Sequence, residues 1–396
     1  MKLQDRKPGG LRIAYGGVLV LLYMIFVFLF YRQSIRYNGG YLSDTAIYVG
    51  LSRDEHGVRL ITWIFNILYQ AVDGTVLIAL YMGLVVVGII LMNYHIIRQY
   101  LNIDNVVVSE VLIMFSSAAM LYTGSMYVPV IHEKFYKSSW CTFPWHSPTQ
   151  HLMMLFGLIS LTLFLKIYDN YMQRINPAHW GLLALSGVLS VWAKPSFMLV
   201  FIPTMIVVFV IELVAHREDM AKRFGRLVIY GMSLVPAGIL ILILNSSIYG
   251  EGSENTVNAS AGHVLDAGYN VPIAALCGLM FPLIVCICNF RRFKEMKFQI
   301  ALGMVAFGII EWMIFFEEGT RGAHGNFAWG RQAGCYFIFL CSMILAMENL
   351  KDREFMSGSR KCRIIYFTAL ACSLGLALLT QAYHFYMILR GHSYYF

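Results

Sequence analysis

Few residues in this 396-residue chain are equipped for chemistry, and most of them fall in short polar segments between long apolar runs. The densest segment is Glu317-Glu318-Gly319-Thr320-Arg321-Gly322-Ala323-His324-Gly325-Asn326-Phe327-Ala328-Trp329-Gly330-Arg331. Glu317, Arg321, His324 and Asn326 supply acid, base and hydrogen-bonding groups in close succession. Phe327 and Trp329 offer flat faces on which a sugar ring can stack, or they belong to an interfacial aromatic belt. Gly319, Gly322 and Gly325 permit tight backbone paths and close approach of a ligand. An ordered loop in which the two acids neutralise Arg321 explains part of the pattern. The density of polar and aromatic groups favours a loop that binds something.

Asp44, in Tyr41-Leu42-Ser43-Asp44-Thr45-Ala46-Ile47-Tyr48-Val49, is a carboxylate flanked by apolar and aromatic residues. Partial desolvation raises the proton affinity of such a group and suits it to general-base work. The competing reading is a helix N-cap, with Ser43 or Asp44 opening a surface helix. Among the basic residues outside the inner loops, Arg59 belongs to the same polar stretch as Asp44, while Lys194, Arg321 and Arg331 sit at or near the edges of apolar runs. Ammonium and guanidinium groups there can hold the phosphate of a lipid carrier or simply snorkel to the interface. Glu110 is expected near a helix end within reach of water. Glu311 lies deeper and calls for a partner or protonation. His146, His151 and His179 are scattered, and no metal-ligand spacing is present, since Cys286-Ile287-Cys288 lacks a second pair.

These residues have to be positioned by a membrane scaffold. The chain is 58% hydrophobic and 13% charged, about half the usual charged fraction, with a mean hydropathy of +0.63. Too little polar surface exists to cover a water-soluble core. Apolar runs long enough for a hydrocarbon layer of roughly 30 Å recur at residues 12–31, 74–93, 106–127, 150–167, 179–193, 196–215, 227–245, 271–289, 299–316, 332–348 and 364–389. The expected fold is therefore all-α: a polytopic integral membrane protein with about eleven transmembrane helices, forming one transmembrane domain over residues 1–396. The first run lacks a small-residue cleavage site, Tyr31-Arg32-Gln33 following it, and reads as a retained helix.

Charge orients the helices. With the amino terminus in the cytoplasm, the inner segments hold Lys2, Arg6, Lys7 and Arg12; Arg98, Lys166 and Arg174; Arg217, Lys222, Arg223 and Arg226; Arg291, Arg292, Lys294 and Lys297; and Lys351, Arg353, Arg360, Lys361 and Arg363. That is 20 of the 30 basic residues, the positive-inside bias. The net charge of +8 then anchors the protein to lipid headgroups and gives no reason to expect nucleic acid. An odd number of spans places the carboxy terminus outside the cytoplasm. The outer loops become 32–73, 128–149, 246–270 and 317–331. The first contains an amphipathic stretch from Leu60 to Phe65, suited to lie on the membrane surface, and 246–270 reads as a mobile polar loop.

Three local features then carry a family likeness. They are a short tail, one helix and an outer loop with an acidic residue, here Asp44, before a surface helix; a loop ending Trp145-His146-Ser147-Pro148-Thr149-Gln150 ahead of the fourth span; and the turn Ala193-Lys194-Pro195-Ser196-Phe197 between paired helices. In these the first 200 or so residues resemble the GT-C superfamily of membrane glycosyltransferases, bacterial type. The resemblance implies a polyprenyl-phosphate-linked sugar as donor, with no further cofactor and the divalent-metal requirement open. It implies a cell-envelope glycan, glycolipid or protein as acceptor at the outer face of a bacterial plasma membrane. Asp44 would be the base of an inverting displacement, and Lys194, Arg321 and Arg331 would stabilise the leaving phosphate. Arg59, Glu317, His324, Asn326 and Trp329 would complete the substrate contacts. Many members carry an acidic pair in the first loop. Here Thr45 follows Asp44, so Asp54 and Glu55 stay open as the base. A polysaccharide polymerase or ligase, or a lipid-linked glycan flippase with no bond-making chemistry, are the alternatives.

Overall fold

The computed structural model describes residues 9–35, 43–54, 59–71, 74–101, 103, 105–127, 140, 142–250, 253–261, 270–319, 325–350, 355 and 359–390. In chain order these form α1 (Gly9–Ile35), α2 (Asp44–Asp54), α3 (Leu60–Gln70), α4 (Gly74–Tyr100), α5 (Val106–Ala119, extended by a 3-10 turn Met120–Tyr122) and α6 (Pro148–Tyr168). There follow α7 (Pro177–Ala193), α8 (Ser196–Ala215), α9 (Met220–Gly231), α10 (Val235–Tyr249), β1 (Thr256–Ala259), α11 (Val271–Cys288), α12 (Met296–Ile314), β2 (Phe315–Glu318), α13 (Ala328–Asn349) and α14 (Arg360–Arg390).

Among the described residues, nine helical segments are long and apolar enough to cross a membrane, α9 and α10 counting together as one. The other two expected spans are helical but short. α7 is set off by Asn176, whose side chain accepts from the Ala178 amide, with Pro177 at the first helical position. It stops at Lys194-Pro195, giving 17 residues, about 26 Å of helix. α5 has 14 residues, about 21 Å. It is capped by Asn105, which accepts from the Val107 and Val108 amides at 3.1 Å each. It ends where Gly124 takes φ +134°, a left-handed value that favours glycine.

The helical surfaces match a hydrocarbon solvent. Ile13, Leu242, Ile287 and Leu379 are each about 70% exposed or more, which in water would be an aggregation hazard and in lipid is the favourable state. The fold is not purely α-helical, however. β1 and β2 pair antiparallel, Thr256 opposite Glu318 and Ala259 opposite Phe315. Part of the segment expected as a mobile loop is thus a strand, held because its amides find partners in the chain that follows α12.

The chain divides into two compact units: residues 1–151, 277–289 and 339–396, and residues 152–276 and 290–338. In the first, α1 packs along α4, α4 along α5, and α2 against α3. α1 and α4 approach closely at Gly83, where a Cβ would press on Val27 and Tyr23 at 2.8 and 2.9 Å. One end of this unit is marked by Glu110, which accepts from Arg12 at 2.9 Å and from the Tyr94 hydroxyl. The expectation that Glu110 reaches water is therefore corrected: it is buried, because these two donors replace the water. The opposite end is marked by Arg32, which donates to the Leu389 carbonyl at 2.6 Å. The start of α1 and the end of α14 thus lie at opposite ends of the unit.

In the second unit α8 packs on α12, and α7 on α10 and α8. At one end Glu212 accepts from Tyr168 at 2.8 Å, Tyr171 at 2.6 Å and Arg223 at 2.6 Å. Burial pushes the Tyr171 phenol up to about 12, the Glu212 carboxylate adding to the effect and Arg223 opposing it. The other end gathers the carboxy termini of α7 and α12 and the amino terminus of α13.

Candidate functional site

That end of the second unit holds the clearest concentration of chemistry. Lys194 occupies the C-cap of α7 in extended conformation, φ −165° and ψ 127°, and Pro195 starts α8 directly after it. The Lys-Pro pair thus forbids the helix from continuing and turns the lysine inward. Its ammonium lies 3.4 Å from the centroid of the Trp329 ring, and both side chains are buried. Arg331, fully enclosed, stacks its guanidinium 3.5 Å from the centroid of Trp312. Desolvated cation–π contacts of this kind are worth ~2 kcal/mol or more each.

Four residues of the polar segment after α12 have defined places in the same unit. Glu317 on β2 is buried; its two carboxylate oxygens accept from the Tyr249 hydroxyl and from the Asn326 amide. Gly319 and Gly325 take φ +84° and +56°, and at Gly319 a Cβ would also run into the Glu254 carbonyl. These are the tight paths that the glycines promised. Trp329 and Arg331 belong to the first turn of α13 rather than to a loop, so the polar segment is shorter than the sequence suggests. Arg321 and His324 lie outside the described residues.

Glu311, near the end of α12, is half-exposed as a residue but has its carboxylate oxygens buried beside this cluster. Neither of its carboxylate oxygens has a hydrogen-bond partner among the described residues. Arg331 acts on it electrostatically, and its carboxylate rests against Gly330. The helices can approach this closely because of glycines. A Cβ on Gly330 would meet Val200 at 2.6 Å and the Ser196 carbonyl at 3.1 Å. One on Gly308 would meet the Arg331 amide nitrogen at 2.7 Å, and one on Gly334 the Met304 carbonyl at 2.8 Å. Gly330 and Gly334 have the four-residue spacing of close helix contacts in membranes, a signal present in the sequence and not used above. Trp312 and Tyr249 were also missed, having no local pattern to single them out.

The first unit holds Asp44. It is the first residue of α2 and half-buried. Ser43 is the cap, its hydroxyl accepting from the Thr45 amide at 3.2 Å, so the helix start does not require the Asp44 carboxylate as its cap. A carboxylate in the first turn is favoured in its charged form by the helix dipole. Arg59 precedes α3 with no side-chain capping bond; its carbonyl accepts from Thr62 at 2.7 Å. α3 buries Leu60, Ile61, Thr62 and Phe65 and exposes Trp63, the two-faced helix expected there. Glu55 and the side chain of Asp54 lie outside the described residues.

The histidines prove less scattered than the sequence implies. His146 and His151 are buried in an aromatic cluster of the first unit, His151 stacked on Phe143 with ring centroids 4.6 Å apart and Trp145 4.6 Å from Phe385. Among the described residues no group of three or more His, Cys, Asp or Glu is placed to hold a metal ion. No protein-family model matches the chain, and no curated protein matches it.

Proposed function

We propose that this protein is a membrane glycosyltransferase that takes a sugar from a polyprenyl-phosphate donor and passes it to a cell-envelope acceptor. The observation that carries the reading is the buried Lys194 ammonium on the face of Trp329 at a helix end. A desolvated cation at a helix end suits the phosphate of a lipid-linked donor, whose charge it answers. Asp44 at the start of α2 is the base. It removes the proton as an acceptor hydroxyl oxygen bonds to the anomeric carbon. The bond from that carbon to the phosphate oxygen breaks, and the polyprenyl phosphate leaves with the electron pair, inverting the anomeric centre. The family resemblance, rather than any placement of the two units, assigns the charge on the departing phosphate to Lys194. Arg331, buried and stacked on Trp312, holds the start of α13 and with it Trp329.

The charge pattern supports an orientation as well. The Glu212 end of the second unit carries Lys166, Arg174, Arg217, Lys222, Arg223 and Arg226, which the positive-inside tendency assigns to the cytoplasm. The Lys194 end then faces outward, in a bacterial plasma membrane with the amino terminus inside. Purified protein in nanodiscs, given polyprenyl-phosphate sugars and an envelope extract, is the test. Transfer by wild type and none by folded Asp44→Asn supports the assignment; transfer by both removes Asp44 as the base. One observation favours a second reading. A Glu311 whose buried carboxylate oxygens have no hydrogen-bond partner among the described residues is what a proton-coupled flippase would carry, and in that case Glu311→Gln abolishes function while Asp44→Asn does not.

A further inference from the structure

We propose that Gln33 is the positioning residue for Asp44, holding the start of α2 in the place where the carboxylate works. The inference rests on the reading of Asp44 as the base. Its ground is one fully buried amide. α1 buries Phe26, Leu29, Phe30, Gln33 and Ser34, a single stripe at helical spacing, and Gln33 is the member with no packing reason to be there. A primary amide in such a stripe costs free energy unless it is hydrogen-bonded, and an aliphatic residue would fill the space without that cost.

The amide is hydrogen-bonded, and to two other segments. Its oxygen accepts from the Ser43 hydroxyl at 3.2 Å and from the Thr45 hydroxyl at 2.8 Å. Its nitrogen donates to the Trp145 carbonyl at 3.1 Å. The two hydroxyls flank Asp44 on either side in sequence, and Ser43 also caps the helix through the Thr45 amide. Trp145 is buried, stacked on Phe26 and edge-on to Phe143 and Phe385. Gln33 therefore ties both neighbours of Asp44 to a buried aromatic cluster of its unit.

The test uses the full chain in nanodiscs with a panel of undecaprenyl-phosphate-linked hexoses and an envelope extract. Gln33→Leu keeps the packing and removes all three bonds. A misplaced catalytic group costs up to about 100-fold, so kcat is expected to fall about 10- to 100-fold with the donor KM within about twofold. Amide hydrogen exchange across residues 44–50 is expected to quicken while α4 stays protected. Gln33→Glu supplies a readout that a merely structural role would not move. Its ionised form cannot donate to the Trp145 carbonyl and its protonated form can, so its kcat relative to wild type rises as pH is lowered. Wild-type kcat in Gln33→Leu with Asp44→Asn inactive overturns the role of Gln33 alone. Unchanged exchange across α2 in Gln33→Leu, or a relative kcat of Gln33→Glu that does not vary with pH, also overturns it. Full activity in Asp44→Asn overturns the base reading and this inference with it.

Discussion

Removing the Tyr249 hydroxyl should be costly only while Glu317 is present. Glu317 is buried, and its two oxygens take one donor from the end of α10 and one from the turn before α13. Hydrogen bonds to a charged group contribute about 1.5–3 kcal/mol each, and burial leaves little solvent to screen these. Tyr249→Phe in the wild-type background should therefore cost about 1.5–3 kcal/mol. Glu317→Ala loses both bonds, about 3–6 kcal/mol in all. In the Glu317→Ala background Tyr249→Phe should cost far less, because the bond it would remove is already gone. The coupling is then about 1.5–3 kcal/mol, well above the scatter of independent sites. Equilibrium unfolding of the four variants in one detergent measures it. A coupling below about 0.5 kcal/mol would refute the claim that Glu317 clamps these two segments.

Lys194→Met keeps the length of the side chain and removes its charge. If the lysine stabilises a departing phosphate, single-turnover transfer should slow about 10²- to 10³-fold, and an unchanged rate rejects that role. Gly308→Ala should destabilise by about 1–3 kcal/mol, since the new methyl meets the Arg331 backbone. Gly181→Ala, which meets nothing, should stabilise α7 by about 0.5–1 kcal/mol; equal thermal midpoints for the two variants would contradict the close α12–α13 contact. Tyr171 supplies a pH dependence. Its folded value of about 12 exceeds the unfolded value near 10, so its contribution is complete below about pH 10 and is lost as pH rises toward 12. Wild type should lose stability across that window faster than Tyr171→Phe, and parallel curves would count against the shift.

The membrane class and most element positions were legible because length and hydropathy are local properties. Every expected span is helical over most of its length, and the Lys194-Pro195 break stands where the sequence puts it. What escaped is set by partners distant in the chain. Nothing near Glu110 shows that Arg12 will bury it. Nothing in the polar stretch 246–270 shows that residues 315–318 will complete a sheet with it. The cation-bearing cluster was read in outline, Lys194, Trp329 and Arg331 all being named. Its second aromatic, Trp312, is one of seven tryptophans and becomes distinctive only once Arg331 stacks on it.

The end of α5 bears on how the protein is made. After the 3-10 turn, residues 123–127 run without helical bonds, in a chain region that the apolar sequence assigns to the membrane. Their polar groups are answered from elsewhere in the same unit. The Met126 amide donates to the Cys277 carbonyl at 3.2 Å, the Tyr127 amide to the Thr380 hydroxyl at 3.1 Å, and the Ser125 carbonyl accepts from Gln381 at 3.3 Å. Cys277 is translated about 150 residues after this segment and Gln381 about 255 after it. In a bilayer such groups cannot wait in lipid without cost. The nascent segment is therefore expected to keep contact with water or with the insertion machinery until α14 arrives, so that this unit is completed late in biogenesis.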